Sequence, residues 1–163
     1  MPATYEKIAT TTLSSNNANI TFTSIGSSYT DLRVVLVGTS VSGVSCTLTF
    51  NSDTSALYSN TTLRGNGSTA VSGRSTGGSG ISINAAGFSS TIPSFITCDI
   101  FSYAGSTNKT CLITCSSDYN GSGETESRVG LYRSTTAIST ITFNNSSNFQ
   151  TGTTATLYGI LKA

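Results

Sequence analysis

Apolar and polar residues alternate with a period of two over much of the chain. Ile20-Thr21-Phe22 puts two apolar side chains on one side of an extended segment, and Cys46-Thr47-Leu48-Thr49-Phe50 carries the pattern further. That period belongs to a strand with one buried face, because successive side chains of an extended backbone point to opposite sides. In Asp31-Leu32-Arg33-Val34-Val35-Leu36-Val37 apolar residues occupy both parities, which predicts a strand in the middle of a sheet. Further strands are predicted over 57–63, 95–103, 109–115, 127–133, 140–143 and 155–161, with a short alternation at Ile81 and Ile83. Clusters of Gly, Asn, Asp and Ser separate them, and good helix formers are scarce. The stretch 68–80 has the weakest signal and reads as a flexible exposed loop, too short to separate domains.

Strands of this kind without a helical crossover predict an all-β fold: an antiparallel β-sandwich of jelly-roll type with roughly eight to nine strands, a closed barrel being the alternative. A chain of 163 residues can bury its own core, so a single sandwich domain over 1–163 is expected, with 1–12 as either an arm or an edge strand.

Three of the four cysteines, Cys98, Cys111 and Cys115, fall on two neighbouring predicted strands. Ile96, Cys98 and Ile100 share one parity, as do Cys111, Ile113 and Cys115, and both sets must face the core. A loop over 104–107 satisfies this and sets Ile96 against Cys115, Cys98 against Ile113 and Ile100 against Cys111. Diagonal cysteines would then stand about 7 Å apart, beyond disulfide reach. A two-residue slip would keep the faces and place Cys98 opposite Cys111 or Cys115, so a disulfide stays open at this point. Zinc is not expected, because the spacing forms no tetrahedral knuckle and the chain has no histidine.

Only 9% of residues are charged and the formal net charge is +1, with no run of Lys or Arg. Such a surface offers no field for nucleic acid or an anionic membrane, and neither partner is expected. The start of the chain carries no secretory signal pattern, and the apolar runs are too short to span a bilayer, so folding in a cytoplasm is expected. Without histidine the usual general base and the Ser-His-Asp relay are missing, and the seven carboxylates lie mostly singly in turns. We expect no enzyme activity, no catalytic residue and no cofactor. Asp118-Tyr119-Asn120-Gly121-Ser122-Gly123 begins like a calcium loop, but Val129 stands where a bidentate glutamate belongs, so a polar hairpin loop is expected and no metal. Tyr119 beside Asn120 is the best candidate for stacking a sugar; a tyrosine packed at a subunit seam is the plainer account.

Four stretches carry a family resemblance: Thr30-Asp-Leu-Arg-Val-Val-Leu36, Phe50-Asn-Ser-Asp-Thr-Ser-Ala-Leu-Tyr58, Tyr103-Ala-Gly-Ser-Thr-Asn-Lys109 and Ala155-Thr-Leu-Tyr-Gly-Ile160. In their order, the chain resembles short all-β virion proteins of tailed bacteriophages. The family more often has Phe-Asn-Gly-Asp in the second stretch; Ser52 replaces that glycine here, which bears on any positive φ the turn requires. The resemblance implies a structural virion protein made in the host cytoplasm and placed on the capsid surface. Its implied role is capsid decoration, or cement, with the major capsid protein as partner and a homo-oligomer, a trimer for preference, as the working form. An arm over 2–12 would dock on a neighbour through Tyr5 and Ile8. The alternative is a tail or fibre module that binds host glycans through loops such as 118–126, with Tyr119 and Asn120 as contacts.

Overall fold

The computed structural model describes residues 4–43, 45–83 and 87–161, and among them it contains strands and no helix. The strands are β1 (Tyr5–Thr12), β2 (Asn17–Phe22), β3 (Asp31–Gly38), β4 (Cys46–Phe50), β5 (Tyr58–Gly65) and β6 (Ala70–Gly78), followed by β7 (Ile81–Ile83), β8 (Ser94–Phe101), β9 (Lys109–Asp118), β10 (Gly123–Tyr132), β11 (Ile141–Phe149) and β12 (Thr154–Ile160). They form an eight-stranded sheet in the order β1-β12-β3-β8-β9-β10-β5-β6 and a four-stranded sheet in the order β2-β11-β4-β7. Leu32, Val34, Leu36, Ile96, Cys98 and Ile113 of the large sheet meet Ile20, Leu48, Ile81 and Phe143 of the small one in a single core.

The connectivity is that of a jelly roll. β1 pairs with β12, β2 with β11, β3 with β8 and β4 with β7, all antiparallel. These pairings are those of one long hairpin rolled up so that its successive pairs alternate between two sheets. Two further hairpins are inserted into this framework, β5–β6 between β4 and β7 and β9–β10 between β8 and β11. They join each other through the β10–β5 pair and widen one sheet only. β7 closes over them at Gly130, where an added Cβ would lie 2.6 Å from Cδ1 of Ile81.

The strand count exceeds the expected eight to nine, and the reasons are local. β6 occupies most of the stretch expected to be a loop. It is exposed along nearly its whole length, an edge strand projecting beyond the small sheet, so no alternation marks it. β9 and β10 likewise extend through the expected loop 118–126, leaving only 119–122 as the turn. Their inner face there carries Ser117, Glu126 and Arg128 instead of apolar residues, which ends the hydrophobic pattern before the strands end. Residues Tyr5–Thr12 form edge strand β1; Pro2, which begins the expected arm, lies outside the described residues.

The cysteine hairpin has the derived register, with Ile96 opposite Cys115, Cys98 opposite Ile113 and Ile100 opposite Cys111. All four cysteines are buried free thiols. Burial raises the pKa of Cys46, and contact with Cys111 together with burial holds Cys98 far above the ordinary thiol range, so neither presents a thiolate near neutral pH.

One end of the sandwich is laced together by the stretches that carried the resemblance. The Tyr103 hydroxyl donates to the Gly26 carbonyl, and the Ser102 amide donates to Asp31 Oδ1 at 2.7 Å. Tyr58 Oη accepts from the Phe50 amide at 3.0 Å and donates to the Asp53 carbonyl. The ring of Tyr29 lies on Gly159, where an added Cβ would be 2.3 Å from the ring carbons. Turn 50–53, which leads from β4 in the small sheet towards β5 in the large one, has left-handed backbone at both central residues: Asn51 and Ser52 sit at φ 53° and 56°, and the Asp53 amide donates to the Phe50 carbonyl at 2.9 Å. A serine is strained in that region and a glycine is not. Ser52→Gly is therefore expected to stabilise the fold by about 0.5–1 kcal/mol; a midpoint in urea that fails to rise would show that the left-handed backbone costs nothing here.

Candidate functional site

The four residues singled out as contacts do not converge. Tyr5 lies at the laced end on the outward face of the large sheet, with its ring 5.6 Å from the Arg33 guanidinium. Ile8 sits in the bulge between Lys7 and Ala9 and is half-buried against the core of its own domain, on the inward parity that it shares with Glu6. Tyr119 and Asn120 belong to the β9–β10 turn at the opposite end. The Tyr119 ring is half-buried and its hydroxyl donates to the Gly87 carbonyl at 3.1 Å, which ties it down. Asn120 is exposed at φ 59°, followed by Gly121 at φ 111°, and Asp118 Oδ1 accepts from the Asn120 amide at 2.8 Å. The Asp-Tyr-Asn-Gly signal is thus a primed hairpin turn.

The carboxylates likewise have structural partners. Asp99 takes a two-pronged bond from Arg33 at 2.6 and 2.7 Å across the β3–β8 pair. Asp53 accepts from the side chain and amide of Ser55 and from the Tyr132 hydroxyl, and these bonds lower its pKa. Its contribution to stability is full above the ordinary aspartate range and is lost as pH falls through the lowered value. Glu126 pairs with Arg128, and Glu124 with Arg64. Among the described residues no group of three His, Cys, Asp or Glu side chains is placed to hold a metal ion.

Two surfaces remain. At the end away from the lacing, the β5–β6 turn and the β9–β10 hairpin flank a shallow, open depression of about 630 Å³ lined by groups such as Asn66, Pro93, Ser116, Asp118 and Glu124. No aromatic residue lines it. The other surface is the outward face of the large sheet. Seven of the nine exposed large apolar side chains among the described residues lie on it, from Tyr5 on β1 to Leu63 on β5, which sets it apart from every other part of the molecule. Sequence patterning missed it because an apolar residue on the outward parity of a strand looks the same as one on the inward parity. From β8 to β5 this face bears two charged side chains, Asp99, which Arg33 neutralises, and Asp118 at the end of β9 beside the turn. Rows of hydroxyls fill the remainder, including Thr97 opposite Thr114 and Ser116 bonded to Thr125 at 3.2 Å.

No protein-family profile matches this chain, and neither the curated proteins nor the solved structures yield a match.

Proposed function

We propose that the chain is a structural component of a bacteriophage virion: a capsid decoration protein that binds the major capsid protein of the assembled shell and stabilises it. The observation that carries this reading is the outward face of the large sheet, neutral, hydroxyl-rich and bearing most of the exposed apolar side chains. Such a face suits a protein that works by covering area in a repeated assembly. A protein that binds only the assembled shell stabilises that state by mass action. The order of the four stretches that resemble phage virion proteins supports the same reading. The test is to add the purified chain to undecorated capsids. Saturable binding at a fixed ratio to capsomers, with shells that survive higher temperature, is expected; absence of binding would sink the proposal.

A second reading, a tail or fibre module that binds host glycans, is favoured by the open depression between the β5–β6 and β9–β10 turns, whose lining offers Asn66, Asp118 and Glu124 as hydrogen-bonding groups. The lack of a stacking ring in its lining ranks it second. Few copies per particle, confined to the tail, would favour this second reading over the first.

A further inference from the structure

We infer that the outward face of the large sheet associates with the same face of a second copy of this chain, about a two-fold axis. The inference rests on reading that face as an assembly surface, and it names the occupant. Eight strands spaced about 4.8 Å apart and rising about 3.3 Å per residue give a face of roughly 900 Å². A standard interface buries about 800 Å² on each partner, so this face alone is large enough to hold a dimer.

Charge and hydrogen bonding select a copy as the partner. The Arg33–Asp99 pair is internally neutral, so an identical copy brings no uncompensated charge to the middle of the face; Lys7, Asp118 and Arg74 stand at its rim. Asp118 at the rim aside, the outward polar groups along β8, β9, β10 and β5 are otherwise hydroxyls, and a hydroxyl both donates and accepts. A surface of hydroxyls is therefore complementary to itself in a way that a surface of lysines or carboxylates is not. The apolar side chains form a continuous band across the centre: Phe101 on β8 is diagonal to Leu112 on β9, Leu112 is directly opposite Val129 on β10, and Val129 is diagonal to Leu63 on β5. A two-fold axis near the Leu112–Val129 pair lays this band on its copy. Two sheets packed in this way cross at about 30° with about 10 Å between them. A two-fold contact generates a dimer, so a three-fold assembly would need a different surface.

Analytical ultracentrifugation of the full chain is the test. Wild type is expected to sediment at twice the 16.8 kDa chain mass. Val129→Glu and Leu63→Glu alter side chains that are 50% and 60% exposed, so the fold should keep its circular dichroism while association weakens by at least about 100-fold. Thr21→Glu, on the outward face of the small sheet, should leave the dimer intact. A wild-type monomer or trimer, or a dimer that survives both face variants, would overturn the inference. Capsid binding, measured in parallel, separates the two proposals. Val129→Glu that stays dimeric but no longer binds capsids would assign the face to the shell, overturning this inference and leaving decoration in place. A wild-type dimer that ignores capsids would do the reverse.

Discussion

Lys109→Met is expected to cost the fold about 3 kcal/mol. Lys109 is 1% exposed, and its ammonium group lies within hydrogen-bonding distance of three backbone carbonyls, those of Gly105, Thr107 and Thr135. Two of these belong to the β8–β9 loop and one to the β10–β11 loop, so one side chain closes two loops that the sequence leaves far apart. Burial pulls the lysine pKa below its ordinary value, and the carbonyl oxygens oppose that shift by binding the charged form. Methionine fills the same volume without a donor and removes three bonds from a charged group to backbone carbonyls, each worth on the order of 1 kcal/mol or more. For a domain of this size the loss corresponds to a melting temperature lower by roughly 6–12 °C. A shift of less than about 2 °C would mean that water replaces the ammonium freely.

A comparable loss is expected from Arg128→Met, though for a different reason. Arg128 and Glu126 lie two residues apart on β10 and point to the inner face, beyond the edge of the small sheet. Their side chains are 7% and 1% exposed and 2.8 Å apart. The guanidinium also donates to Asn60 Oδ1 at 2.8 Å, and Asn60 donates to Ser75 at 2.7 Å, so β10, β5 and β6 are joined by one polar chain. Removing the arginine leaves a carboxylate in a place with little water, which costs about 3–5 kcal/mol. Replacing both partners, Glu126→Leu with Arg128→Met, removes the charge along with its partner and is expected to return most of that loss. Urea unfolding of the single and double variants measures the coupling as their departure from additivity. A double variant as unstable as Arg128→Met alone would show that packing, and not the buried charge, sets the cost.

The parts of the fold that were legible in the sequence are those whose side chains separate cleanly into core and solvent. Ile96, Cys98 and Ile100 against Cys111, Ile113 and Cys115 set the inward faces and favoured the register that the structure has, and Leu32, Val34, Val35 and Val37 marked a central strand that the structure places between β12 and β8. Legibility fails where that separation does. β6 has solvent on both sides, and the ends of β9 and β10 bury Ser117, Glu126 and Arg128, so real strands there carry the composition of loops. Where the candidate contact residues point was not legible either, because side-chain orientation is not local information. Ile8 packs on the core because β1 is held against β12, and the Tyr119 hydroxyl is claimed by Gly87, far off in sequence. The outward face of the large sheet could be found only once the pairings of β3, β8, β9, β10 and β5 had placed Phe101, Leu112, Val129 and Leu63 side by side.

The rolled-hairpin connectivity has a kinetic consequence. Its outermost rung joins Tyr5 to Ile160, so it closes only after almost the entire chain has been ordered, and the loop entropy of such pairings places the fold among slow folders. The inserted hairpins have no such delay. β8, β9 and β10 form one uninterrupted meander over 94–132, with each pair joined by a short turn, and β5–β6 is a second local hairpin ready to dock on β10. Order is thus expected to spread from the widened part of the large sheet toward β1. The strands added to the jelly roll supply its early nucleus, while the framework strands wait for one another.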